Sequence, residues 1–129
     1  MKKLTEEWVS KAEGDLRTAE RELAAGQDPN YDAVCFHAQQ CVEKYLKACL
    51  NERDVVFEKS HNLLYLLDLV VPFAPQFDDM RVALNLVGNY AIAYRYPGES
   101  ADRDTADTAL AIARDCSTKL RHFLQRANG

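Results

Sequence analysis

Apolar residues recur along this chain at steps of three and four, with no sustained alternation, so the sequence predicts helices throughout. Leu4, Trp8, Ala12, Leu16, Ala19 and Leu23 mark a first helix, with Glu6 and Glu7 suited to its positive first turn. Gly26-Gln-Asp-Pro29 is expected to close it, with Gly26 in the left-handed stop position. A second helix is expected from about Tyr31 to Asn51, followed by a loop from Glu52 to Lys59. Ser60 is expected to cap a short third helix, His61 to about Val70, which Pro72 and Pro75 end. A fourth helix is expected to start near Phe77, with Asp78 and Asp79 in its first turn and a stripe of Leu84, Val87, Ala91 and Tyr94. Pro97-Gly98 stops it, and Ser100 or Asp102 opens a fifth helix striped by Ala106, Ala109, Leu110, Ala113, Cys116, Leu120, Phe123 and Leu124. Four long helices with short connections predict an all-α, up-and-down four-helix bundle with one extra short helix. Trp8, Leu16, Phe36, Leu46, Leu67 and Leu120 are expected in its core.

The second helix departs from a simple amphipathic pattern. Ala33, Val34, Phe36, Ala38, Cys41, Val42, Tyr45, Leu46, Cys49 and Leu50 cover most of its circumference, which places it inside the bundle. His37, Gln40 and Lys44 nevertheless fall at i, i+3 and i+7, on one side. Glu43 and Lys47 lie beside them at i and i+4, read first as an ordinary helix ion pair. Polar groups on a central helix need partners: another helix, a second subunit or a ligand. The wide apolar circumference also predicts a two-fold homodimer. Arg95 ends the fourth helix between Tyr94 and Tyr96, where it can stack on a ring and hold a phosphate or carboxylate by two parallel hydrogen bonds. The plainer alternative is that Arg95 caps the last carbonyls of that helix. The candidate binding set is Arg95, Tyr96, His37, Gln40, Lys44 and His61.

Composition narrows the function classes. The 129 residues (14.6 kDa) suit one domain over residues 1–129, and a net charge of −4 argues against non-specific nucleic-acid binding driven by overall charge, DNA included, while leaving room for a local basic patch. No apolar run approaches the roughly 20 residues that span a membrane, and Met1 to Trp8 lacks the apolar core of a secretory signal, so the expected compartment is the cytoplasm. Cys35, Cys41, Cys49 and Cys116 form no CxxC pair and are read as small buried hydrophobes. His37 and Cys41 at i and i+4 offer two metal ligands, but nothing nearby completes a set of four. No metal, no other cofactor and no catalytic residue is therefore assigned.

Four pieces in order carry a resemblance. They are Trp8 with Ala12, Asp15-Leu16 and Ala19; Phe36-His-Ala-Gln-Gln with Glu43-Lys44 and Leu46-Lys-Ala48; His61-Asn-Leu-Leu64; and Tyr94-Arg-Tyr-Pro97. Together they resemble the HEPN family, small bacterial and archaeal helical bundles found beside minimal nucleotidyltransferases. The resemblance implies a homodimer, a nucleotide- or RNA-related role and a partner nucleotidyltransferase supplying metal-dependent chemistry, in a toxin–antitoxin-like pair. The family's ribonuclease toxins carry an Arg, four to six residues, then a His. Here Arg53 precedes His61, and Arg114 precedes His122, with seven residues between in each case. On one helix that separation is about 12 Å along the axis, too far for Arg114 and His122 to share one phosphate easily; Arg53 and His61 span a loop, so geometry does not forbid them, but they do not match the motif. The expectation is a non-catalytic module that binds a nucleotide or a nucleotidyltransferase. A divergent ribonuclease using Arg95 with His37 or His61, and a pure protein-interaction bundle, are the alternatives.

Overall fold

The computed structural model describes residues 1–127, which form five α-helices and one 3₁₀ turn and, among the described residues, no strand. The helices are α1 (Lys3–Leu23), α2 (Tyr31–Glu52), α3 (Leu63–Val70), α4 (Arg81–Ala93) and α5 (Arg103–Ala127), with the 3₁₀ turn at Pro75–Met80. Local chemistry sets most of the starts. Asn30 accepts a hydrogen bond from the Ala33 amide (3.0 Å) at the head of α2, and Asp102 accepts one from Thr105 (2.8 Å) at the head of α5. The latter bond holds the Asp102 carboxyl below the usual carboxylate range.

Several boundaries differ from the sequence expectation. α1 ends without a left-handed glycine: Ala24 has φ −85°, and the left-handed residue of the connection is Asp28 (φ 47°), not Gly26. Asp is one of the few residues besides Gly that visit this conformation as single residues. Ser60 does not cap α3. Asn62 does, accepting from Leu64 (3.0 Å) and Tyr65 (3.2 Å), while Ser60 accepts from the amide of Asn62 (3.0 Å). Phe77 to Asp79 belong to the 3₁₀ turn that Pro75 opens, and α4 begins only at Arg81.

Side-chain contacts fix the helix directions. Lys2 meets Glu52, Thr5 meets Asn51, and Asp15 meets His37, so α1 runs antiparallel to α2. Asp32 meets Ala101 and Cys41 meets Ser117 (3.1 Å), so α5 runs parallel to α2. The end of α4 reaches the Phe36 end of α2, which completes an up-and-down order with α3 inserted between α2 and α4. α2 is central, touching α1, α3, α4 and α5. Its broad apolar circumference is thus met within one chain: Val42, Tyr45, Leu46, Cys49 and Leu50 are all fully buried. Leu67 and Leu120 are buried with them as expected, but Trp8 and Leu16 are only half-buried. Phe36 is 42% exposed, because its sector of α2 faces a gap toward α4 instead of the core. All four cysteines are buried and unbridged. Among the described residues no helix is long and apolar enough to cross a membrane.

Candidate binding cleft

The gap beside Phe36 is a cleft of about 620 Å³ between α2, the head of α3 and α4. From α2 it receives Phe36, Gln39 and Gln40; from the α3 head, His61, Asn62 and Leu64; from α4 and its end, Asn85, Asn89, Ile92 and Arg95. Three of the six sequence candidates, Gln40, His61 and Arg95, therefore meet on one concave surface. His37, Lys44 and Tyr96 are not among its walls.

Helix geometry explains the split of the polar stripe. His37 and Lys44 turn toward α1, where one carboxylate, Asp15, takes both: Oδ1 at 2.8 Å from His37 Nδ1 and Oδ2 at 2.6 Å from Lys44 Nζ. Next along the same face, Glu13 accepts hydrogen bonds from the Tyr45 hydroxyl and from Arg121. Burial first, then that bond, pushes the Tyr45 hydroxyl well above its ordinary range. These groups join α1, α2 and α5, and their partners lie within the chain. Tyr96 is 62% exposed beyond the end of α4, just before Gly98, whose φ of +92° turns the chain away.

Behind the cleft lies a buried polar network centred on Glu43, which is 2% exposed. Its carboxylate accepts from Lys47 Nζ (3.0 Å) and from Gln39 Nε2 (3.2 Å), and His61 Nδ1 lies 3.0 and 3.1 Å from its two oxygens. A carboxylate only accepts, so the His61 Nδ1 carries a hydrogen, which leaves Nε2 as the other polar edge of the ring. The His61 side chain is 79% exposed. Gln39 Nε2 also donates to the His61 main-chain carbonyl (3.0 Å), and Gln40 Nε2 donates to the Gln39 side-chain Oε1 (2.9 Å). Lys47 is no ordinary surface partner: its ammonium is buried and lies 5.5 Å from the Trp8 ring centre and 6.0 Å from that of Phe57. Among the described residues no buried side-chain polar atom lacks a hydrogen bond. The network ties Gln39, Lys47 and the His61 ring to one buried carboxylate and so orients the imidazole from behind.

Arg95 stands at the cleft mouth, exposed and without a carboxylate partner among the described residues. Among the described residues no aromatic ring lies against the Arg95 guanidinium; Tyr90 and Tyr94 pack on one another at 6.0 Å. Sequence reasoning missed Gln39, Asn62, Asn85 and Asn89 as wall residues. The last two carried a signal: two asparagines four apart in an otherwise apolar helix. The cleft thus offers several neutral amides, an imidazole, one free cation and an aromatic wall. That is a surface suited to the polar edges of a planar heterocycle bearing an anionic group. Among the described residues no three His, Cys, Asp or Glu side chains converge as metal ligands.

The family model of the HEPN domain matches residues 5–122. Among solved structures, TT1696 from Thermus thermophilus is similar to this chain with a TM-score of 0.73 and 24% identity, covering 92% of this chain and 96% of that one. ST0689, an archaeal HEPN homologue, is similar with a TM-score of 0.68 and 24% identity, covering 95% and 98% of the two chains. Among curated protein sequences, none is significantly similar to this chain.

Proposed function

The chain belongs to the HEPN domain family, and from that premise we propose that it is a non-catalytic binding module that takes a nucleotide in the α2–α3–α4 cleft. It would work as a homodimer beside a nucleotidyltransferase. The observation that carries this reading is the meeting of Gln40, His61 and Arg95 in one cleft with Gln39, Asn85 and Asn89. Amides can satisfy both donors and acceptors of a base edge, Phe36 and Ile92 supply apolar cover, and Arg95 is free to hold a phosphate. No activated nucleophile stands in the cleft: Cys35 and Cys41 are buried in the bundle, and burial raises their thiols to about 11 and about 12.

The test is calorimetry with nucleoside mono-, di- and triphosphates, together with a pull-down against a minimal nucleotidyltransferase, should a neighbouring reading frame encode one. Arg95→Ala is expected to weaken nucleotide binding about 10- to 150-fold, the range for losing a charge-assisted hydrogen bond of about 1.5–3 kcal/mol. Unchanged binding by that variant would remove the cleft reading.

One observation favours a second reading, a divergent ribonuclease. His61 and Arg95 line the same cleft, and Glu43 orients the imidazole as an acid–base catalyst requires. RNA cleavage by the purified protein, lost in both His61→Ala and Arg95→Ala, would establish it. The seven-residue separations of Arg and His argue for the binding module instead.

A further inference from the structure

A second cavity, of about 580 Å³, lies at the opposite end of α2. Arg53, the residue that caps α2, is thirteen positions beyond Gln40, about 20 Å along the helix axis, so this cavity is separate from the cleft. Lys119, His122, Phe123 and Arg126 line it from α5 at i, i+3, i+4 and i+7, one face of the last two turns. Asp79, from the 3₁₀ turn, is its one acidic wall residue. A chain with a net charge of −4 therefore gathers Arg53, Lys119 and Arg126 around a single hollow, with His122 between them.

The cations are not all equally available. Lys119 is paired with Asp115 at 3.0 Å. Arg53 and Arg126 have no carboxylate partner among the described residues. Arg53 is also positioned: its guanidinium carbon lies 5.0 Å from the Phe73 ring centre and 5.2 Å from that of Phe123. Phe123 is held in turn by Phe77, edge to face at 5.4 Å. Rings stacked on the face of a guanidinium leave its N–H edge free, and fix the direction in which that edge points. Cations at helix C-termini have a plainer use, to offset the carbonyl end of the dipole. That use needs neither an aromatic shelf nor a hollow. It also sets a condition, since two helix ends oppose an anion here, so a singly charged ion would gain little.

We infer that this cavity is a second ligand site, for the oligophosphate group of a small molecule, held between Arg53 and Arg126. The hollow exceeds a single phosphate and falls within the range of small-molecule sites. Inorganic pyrophosphate and a nucleoside diphosphate share this chemistry, and the test separates them. Both are titrated into ¹⁵N-labelled full-length protein, with sodium sulfate at matched ionic strength as the control. Pyrophosphate is expected to shift the backbone amides of residues 119–126 and 76–79 and to leave those of 61–64 in place. Equal affinity for the two probes would mean that the phosphates alone are recognised. Tighter binding of the nucleoside diphosphate, with the same amides shifted, would mean that its ring also rests on the phenylalanines.

Arg53→Gln and Arg126→Gln are each expected to weaken pyrophosphate binding about tenfold or more, while Arg95→Ala leaves it unchanged. That contrast keeps this site distinct from the proposed nucleotide cleft, since either can fail without the other. Arg126 is exposed at the end of α5 and decides the matter if Arg53→Gln disturbs the ring stack. Shifts that sulfate reproduces, shifts confined to the cleft, or full affinity in Arg126→Gln would each overturn the inference.

Discussion

Glu43 shows how far one side chain's surroundings can depart from its sequence context. At i and i+4 from Lys47 it reads as a surface pair worth about 0.2–0.5 kcal/mol. Buried, it anchors an ammonium, an imidazole and an amide at once. Removing it strands the Lys47 charge against Trp8 and Phe57, so Glu43→Ala is expected to cost roughly 3–5 kcal/mol. Glu43→Leu with Lys47→Met should recover much of that, because no charge is then left uncompensated. Urea denaturation checks both, and an equal loss in the double variant would place the cost in the Gln39 and His61 bonds instead. The cysteines give a second prediction at this scale. Burial above all raises the Cys41, Cys49 and Cys116 thiols to about 12 and Cys35 to about 11. An unfolded thiol ionises near 8.5, so above that pH the unfolded chain sheds protons that the folded chain keeps. The thiols' contribution to stability is therefore expected to hold below about pH 8.5 and to fall from there toward about pH 12. Denaturant midpoints measured along that range check the slope, which a variant with all four cysteines changed to alanine should flatten. Native protein should also resist iodoacetamide at pH 8 until it is unfolded.

At the scale of the element, the sequence was most legible where one mechanism acts alone. Periodicity of three and four placed all five helices, although α4 stops at Ala93, four residues before the Pro97-Gly98 expected to end it, so that Arg95 lies in the turn beyond the helix. It failed where two residues compete for one role. Ser60 and Asn62 are both good caps, and only the path of the loop decides that Asn62 reaches the Leu64 and Tyr65 amides while Ser60 supports Asn62. Asn62→Ala is thus expected to destabilise the protein by about 1 kcal/mol, with Ser60→Ala costing less, as thermal unfolding can measure. The same competition divided the polar stripe of α2. His37, Gln40 and Lys44 share a side of the helix, but two neighbours meet that side. α1 brings Asp15 to His37 and Lys44, and the α3 head brings His61 to Glu43 beside Gln40. Spacing along one helix fixes which residues point together, and it carries no information on which neighbour arrives. Phe36 was assigned to the core for the same reason, since its apolar character is as well suited to a cleft wall.

On the scale of the whole molecule, three of the exposed large apolar side chains fall together on α4. Val82 (83% exposed), Leu86 (39%) and Ile92 (62%) lie with Asn85 and Asn89 on the sector of α4 opposite its buried Leu84 and Val87. That sector spans about 120° at the helical 100° per residue and borders the cleft on its Ile92 edge. We propose that it is the face on which two copies of the chain pair about a two-fold axis, each α4 against the other. Such an interface should bury on the order of 1,200–2,000 Å² in total. It would also bring the partner copy to the mouth of each cleft, so that Asn89, Ile92 and Arg95 come to lie near their symmetry mates. Pairing and ligand binding should then be coupled. Leu86→Glu places a charge midway along the face, on the edge away from the cleft, at a residue that is not among the cleft walls. It is expected to yield monomers in light scattering at tens of micromolar, where the parent chain gives dimers, and to weaken nucleotide binding along with pairing. A monomeric parent at that concentration would remove the dimer. Monomeric Leu86→Glu that binds nucleotide as tightly as the parent would show that each cleft is complete within one chain.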